Sequence, residues 1–235
     1  MAFFNSTVPI FRRKPPVLDV QDAKGIVRIR LRIKQKTLFH RFYTRIDRVL
    51  MLWGLISAII FFTAQFSPIS WIAQAIAWSI LSLVGSIATI VLTYVWVKAE
   101  RLRWLLYCWV GLMMGGVVLT NLGIFLGWGQ ILLNLCNLWL ILMAVGYFFT
   151  SWGLRSRAFA IAGFFHLIGI ILLPAIGGSQ FLITGILIVA TLFFFAEVQW
   201  DMSLPLKQNL RFSRHSQSFK QQSYTLRQLR QASTY

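Results

Sequence analysis

Acidic residues are scarce: the 235-residue chain has six Asp and Glu against 23 Lys and Arg, with three histidines and two cysteines. Each shortage excludes a chemistry. No two carboxylates share an apolar stretch, so a paired acid and base within a membrane is excluded. The patterns GxSxG, HExxH, CxxC and the Walker glycine loop are missing. Gly177-Gly178-Ser179 offers a serine without a base, because His166 is expected at a different depth. Cys108 and Cys136 fall at opposite depths of predicted spans, which argues against a disulfide or a thiolate metal site. No catalytic residue, metal set or cofactor is evident, and the expectation is a protein that is not an enzyme.

What is present in excess is apolar surface. Apolar residues make up 57% of the chain and charged ones 12%, against about 25% charged in soluble domains. Between Val49 and Trp200 the charges are confined to Lys98, Glu100, Arg101, Arg103, Arg155, Arg157 and Glu197. They cut the apolar block into predicted spans at 49–66, 69–97, 104–126, 131–152, 158–176 and 181–200. The second is a 29-residue run without a charge. At 1.5 Å per residue it is about 43 Å long as a helix, more than the hydrocarbon core of a bilayer. Ala75, Ser79, Ser82, Ser86, Thr89 and Thr93 recur on one of its faces at helical spacing. Small and hydroxyl residues let membrane helices approach closely, so this helix is expected to be the central packing post, with Ser79, Ser82 and Ser86 at its contacts. Gly111 and Gly115 form a GxxxG on the third span, a second candidate contact within the bundle or between two copies.

The turns at 67–68, 127–130 and 177–180 carry no charge, whereas the two intervening loops carry Lys98, Arg101, Arg103, Arg155 and Arg157. By the positive-inside rule the basic loops face the cytoplasm. The predicted fold class is therefore all-α: a polytopic membrane protein with six transmembrane helices in three antiparallel hairpins and both termini cytoplasmic. A plasma (inner) membrane and a thylakoid-type membrane are not distinguished. Trp53, Trp96, Trp104, Trp152 and Trp200 fall at the basic boundary and Trp71 and Trp128 at the other, while Trp78, Trp109 and Trp139 lie deeper.

The first 48 residues form a basic arm with no apolar run long enough for a signal peptide. No structure is expected through Pro15 and Pro16. In residues 27–36, Arg28, Arg30, Arg32, Lys34 and Lys36 alternate with Ile29, Leu31 and Ile33, a period of two that predicts an amphipathic strand. It either pairs with another edge or lies extended on lipid headgroups, the reading favoured. Leu38, Phe39, Phe42, Tyr43 and Ile46 at helical spacing predict an interfacial helix over 38–48. Residues 201–235 form a basic, Gln- and Ser-rich tail, with a short surface helix near Leu226 and Leu229 as its one candidate element.

Ionisable or amide groups in apolar spans are functional candidates by default. His166 sits near mid-depth of the fifth span, either as an interhelical hydrogen-bond partner or as a proton, ligand or quinone contact. Glu197 is expected to pair with one of the loop arginines. Gln74, Asn121, Asn134 and Asn137 fall toward the uncharged turns and are expected either to fasten helices or to form, with His166, a polar cluster around a small cavity. The expected function is that of a non-catalytic accessory, assembly or scaffold component of a membrane complex. Its expected partners are membrane lipids, with anionic headgroups on the cytoplasmic side, and another membrane protein or a second copy. The charge pattern disfavours nucleic acid, since nearly all of it flanks apolar segments. The alternatives are a small-solute transporter lined by the polar cluster and, third, an enzyme acting on a lipid or quinone.

Overall fold

The computed structural model describes residue 4 and residues 9–13, 27–33 and 36–201. Three short strand segments come first: β1 (Phe11–Arg13), β2 (Val27–Ile33) and β3 (Lys36–Tyr43). Helix α1 (Arg45–Phe66) then starts at a capping box, in which the Thr44 hydroxyl accepts from the Asp47 N–H and the Asp47 carboxylate from the Thr44 N–H. Ser67 and Pro68 end it. Helix α2 (Trp71–Ala99) is capped by Ser70 and runs for 29 residues. Helix α3 (Arg103–Phe125) leads through a left-handed Gly127, φ 62°, into the short α4 (Gly129–Leu133), and α5 (Leu135–Leu154) follows after a break at Asn134. Arg155 closes α5 in the left-handed region, and α6 (Arg157–Leu172) begins two residues later.

A 3-10 segment, Leu173–Ser179, carries the chain from α6 to α7 (Gln180–Glu197), and the last strand, β4, is Val198–Trp200. Inside that segment Gly177 takes φ 64° and ψ −130°, a conformation only glycine adopts at low cost. The 41-residue apolar stretch Arg157–Glu197 therefore folds back on itself, and its ends meet: Asp201 bonds residues 156–158. Five helical segments are long and apolar enough to cross a membrane, this doubled one counted as the fifth, which gives the chain a multi-pass membrane architecture.

Helix α1 packs on α7 and α2, α2 on α3, α3 on α5, and α5 on α6 and α7. The large side chains that are most deeply buried belong mainly to α5, α6 and α7, namely Leu140, Tyr147, His166, Ile188 and Phe195, while α2 contributes the small Ala75 and Ser82. The expectation that α2 is the central post is thus corrected. Its hydroxyl face is buried, Ser82, Ser86, Thr89 and Thr93 included, but its neighbours are α1 and α3, and Ile72, Ile76, Ile80, Leu83, Ile87, Val91 and Val95 face outward.

Close approach depends on glycines that seat aromatic rings. A Cβ on Gly146 would meet Trp109 at 2.5 Å, one on Gly185 the Phe61 Cβ at 2.6 Å, and one on Gly116 would come within 3.0 Å of Trp139. Apolar surface gains little by leaving lipid, so such tight packing and interhelical hydrogen bonds carry the association. The GxxxG expectation needs correcting within the chain, for a Cβ on Gly111 or Gly115 would meet nothing within 4 Å. The contact is made one residue on, at Gly116, about 100° further around the helix.

The amino-terminal arm also differs from expectation. β2 pairs antiparallel with β3, Val27 opposite Tyr43 and Ile33 opposite Lys36, with an irregularity between Leu31 and Arg32. The strand expected at 27–36 is thus paired, and the interfacial helix expected over 38–48 is a strand to Tyr43 and helix only from Arg45. Backbone pairing is available to 36–43 because β2 supplies an edge two residues away, and the aromatic residues Phe39, Phe42 and Tyr43 suit a strand as well as a helix. β1, in a region expected to lack structure, pairs antiparallel with β4, Phe11 opposite Trp200, and its ring lies 5.1 Å from that of Phe194. Lys34, the prolines at 15 and 16 and the whole tail from 202 lie outside the described residues.

Candidate functional site

The polar residues singled out from the sequence do not meet in one place. Gln74 turns back on its own helix end, Nε2 donating to the Ile69 carbonyl at 2.6 Å. Asn121 joins α3 to α2 by donating to Ser79 Oγ at 2.8 Å, and Ser79 in turn donates to the Ala75 carbonyl. Asn134 donates to the Gln130 carbonyl, and Asn137 donates to Asn134 Oδ1 at 3.1 Å, on an exposed surface. His166 is fully buried, its Nδ1 2.8 Å from the Ala162 carbonyl, which places the proton on Nδ1. Its ring lies 5.1 Å from that of Tyr147. Gln65, which the sequence did not single out, clamps α1 to the Gly177 turn: it donates to the Gly178 carbonyl and accepts from the Leu182 N–H.

A small space of about 20 Å³ borders Asn121 and Ser79, and a larger one lies away from these residues. Helices α1, α2, α3, α5 and α7 surround a cavity of about 170 Å³ that reaches from Phe61, Met113 and Trp139 to Trp96, Leu154, Phe159 and Trp200. The latter residues lie at the end of the bundle where the basic loops fall. Among the described residues no Asp, Glu, Lys, Arg or His side chain lines it. Its walls are rings held in place. Trp53 Nε1 donates to Thr89 Oγ1 and Trp109 Nε1 to Thr150 Oγ1, each at 2.9 Å, and both threonines donate to the carbonyl four residues back. Three residues of the lining, Ser82, Ser86 and Tyr147, carry buried hydroxyls that have no partner among the described residues. A site of this kind accepts an uncharged, largely apolar molecule and offers hydroxyls to its polar atoms.

The charged groups gather at the basic end, in fastening roles. Asp201 is buried and accepts from Ser156 Oγ, from the Ala158 N–H and from both the N–H and Nε of Arg157, the last at 2.9 Å. Its own N–H donates to the Ile10 carbonyl, so one carboxylate ties the start of α6 to β4 while its backbone continues the strand pairing. Burial raises the Asp201 pKa, but the bonds from Arg157, Ala158 and Ser156 outweigh it and hold the carboxyl below its ordinary value. In sequence Asp201 was only the lone acid of the tail, because its partners lie 43 to 45 positions away. Glu197 accepts from the Tyr43 hydroxyl at 2.6 Å, which ties the end of α7 to β3. Among the described residues no three His, Cys, Asp or Glu side chains group as a metal site would require.

Compared with known proteins, the chain matches no family model, no curated protein and no solved structure.

Proposed function

We propose that this is a non-catalytic membrane protein that crosses the bilayer six times, keeps both termini and its basic loops in the cytoplasm, and serves as an accessory, assembly or scaffold component of a membrane complex. Six crossings follow if each arm of the doubled stretch Arg157–Glu197 spans separately, which the turn at Gly177 permits. The observation that carries the reading is the use made of the charged groups. Asp47, Glu197 and Asp201 are all engaged, at one end of the bundle, in capping a helix or in tying one to a strand. Among the described residues the interior carries His166, Gln74 and hydroxyls but no carboxylate, which favours surfaces as the means of assembly. Those surfaces are the outward apolar face of α2 and the basic amino-terminal arm, with Arg28, Arg30, Arg32, Lys34 and Lys36 as contacts for anionic headgroups or a partner.

Reversing Arg28, Arg30 and Arg32 to Glu tests this. Native complexes solubilised in mild detergent are expected to shrink, and mass spectrometry of the wild-type complex names what is lost. An unchanged complex size would leave the arm as a topology signal alone. Transport by way of Gln74, Asn121, Asn134, Asn137 and His166 has less support, because Asn121 bonds Ser79 on α2 while the other four bond within a few positions of themselves, and the cavity of about 170 Å³ is lined by none of them. Replacing Asn137 and His166 with leucine separates the two ideas: solute uptake fails under the transport reading, while assembly survives.

A further inference from the structure

The hydroxyls on the apolar helices divide into two groups. Ser79, Thr89, Thr93, Thr120, Thr150 and Thr191 each donate to the carbonyl four residues earlier, at 2.7 to 2.8 Å. Ser82 and Ser86 stand between Ser79 and Thr89 on the same face of α2, 1% and 4% exposed, and have no such bond. The Tyr147 hydroxyl, on α5 across the cavity, is 1% exposed and also lacks a partner. A buried hydroxyl without a partner is costly, and three of the four on these helices belong to residues that line one void, the fourth being Thr184 on α7. Water could satisfy hydroxyls here but leaves the faces of Trp53, Trp109 and Trp139 against a polar filler, so an occupant with an acceptor at one end and an apolar body suits the whole lining better.

We propose that this cavity binds an uncharged, lipid-soluble molecule carrying one or two carbonyl oxygens, which accept hydrogen bonds from Ser82, Ser86 and Tyr147. Among the described residues no charged side chain lines the space, so it offers an ionic headgroup no partner there. Both indole N–H groups of Trp53 and Trp109 are already used, so these rings offer flat faces, suited to an aromatic or quinonoid ring or to an acyl chain. At about 170 Å³ the cavity takes a substituted six-membered ring or the carbonyl end of an acyl chain, not a whole phospholipid. A quinone head and an acylglycerol ester share this chemistry. The assignment concerns ligand binding alone and holds whether or not the chain is an accessory subunit.

The test uses the full chain purified from its own membranes, washed with lipid-free detergent, extracted with organic solvent and read by mass spectrometry. The expected result is one carbonyl-bearing apolar molecule per chain, with ultraviolet absorbance identifying a quinone and fatty-acid release an acylglycerol. Ser86→Leu, which fills the space, is expected to lower retention at least tenfold. Ser82→Ala with Ser86→Ala keeps the volume and is expected to weaken binding about tenfold, so the idea stays testable if the leucine variant does not fold. A second readout is saturable quenching of tryptophan fluorescence by a short-chain benzoquinone in one arm and a brominated monoacylglycerol in the other. Extracts that are empty, or equal between wild type and both variants, overturn the proposal, as does quenching that neither saturates nor changes with the double substitution.

Discussion

Asp201 and the Ser82–Ser86 pair are both buried polar groups at bundle contacts, and they are treated in opposite ways. The carboxylate receives four hydrogen bonds from three consecutive residues, while the two serine hydroxyls receive and give none beside a void of about 170 Å³. Saturation marks a fastening: a charge leaves water only when its lone pairs are filled. An unsatisfied group next to empty space marks a place where the chain is incomplete by itself. The contrast also separates the two parts of the molecule by what a substitution costs.

Asp201→Ala is the sharpest way to break it. The variant leaves Arg157, Ser156 and the first N–H groups of α6 without their acceptor, and is expected to lose about 3 kcal/mol in a detergent melt of the full chain. A loss as small as that of a surface ion pair would mean that the carboxylate fastens nothing. Gly185→Val comes next. Its new Cβ would lie 2.6 Å from the Phe61 Cβ, a rigid atom, so α1 and α7 must separate, at about 2 kcal/mol; the same substitution at Gly115, where nothing lies within 4 Å, is expected to cost under about 0.5 kcal/mol. Tyr43→Phe removes the 2.6 Å bond to Glu197 and is expected to cost about 1 kcal/mol, seen as a lower melting midpoint.

The smallest effect is the most telling. In the delipidated chain Ser86→Ala removes a hydroxyl that has no partner, and is expected to be neutral within about 0.5 kcal/mol or stabilising. Ser156→Ala, which withdraws a donor from Asp201, is expected to destabilise by about 1 kcal/mol. Equal costs would erase the distinction. Acid sharpens the comparison further. Because Asp201 is held below its ordinary value of 3.8, its contribution is fully present above that value and is lost as pH falls through its lower folded value. The gap in melting midpoint between wild type and Asp201→Asn is therefore expected to be constant above about pH 5 and to close below pH 4.

The apolar spans were legible because length and charge interruption are local properties, and the predicted spans begin and end within a few residues of the helices. Within the chain two expectations about motifs were redirected for one physical reason. A spacing such as that of Gly111 and Gly115 fixes which residues share a face, not which face meets a neighbour, and the contact fell on Gly116. Residues 38–48 satisfy a helical spacing and also a strand, and pairing with β2 decided for the strand as far as Tyr43. The polar cluster failed similarly: Gln74, Asn134, Asn137 and His166 found acceptors within a few positions of themselves, so nothing drew them together.

By itself the sequence determined that this chain must bury its backbone polar groups in long apolar helices, that its charges lie between them, and that the hydroxyl face of α2 turns inward. Those outcomes need only a count of apolar residues and a helical period. The tertiary structure alone decided that Asp201 closes the basic end across more than forty residues, that glycines seat tryptophan rings, and that Ser82, Ser86 and Tyr147 face one void. Each of these joins atoms from helices distant in the chain, and whether a buried hydroxyl is satisfied depends on what the neighbouring helix brings to it.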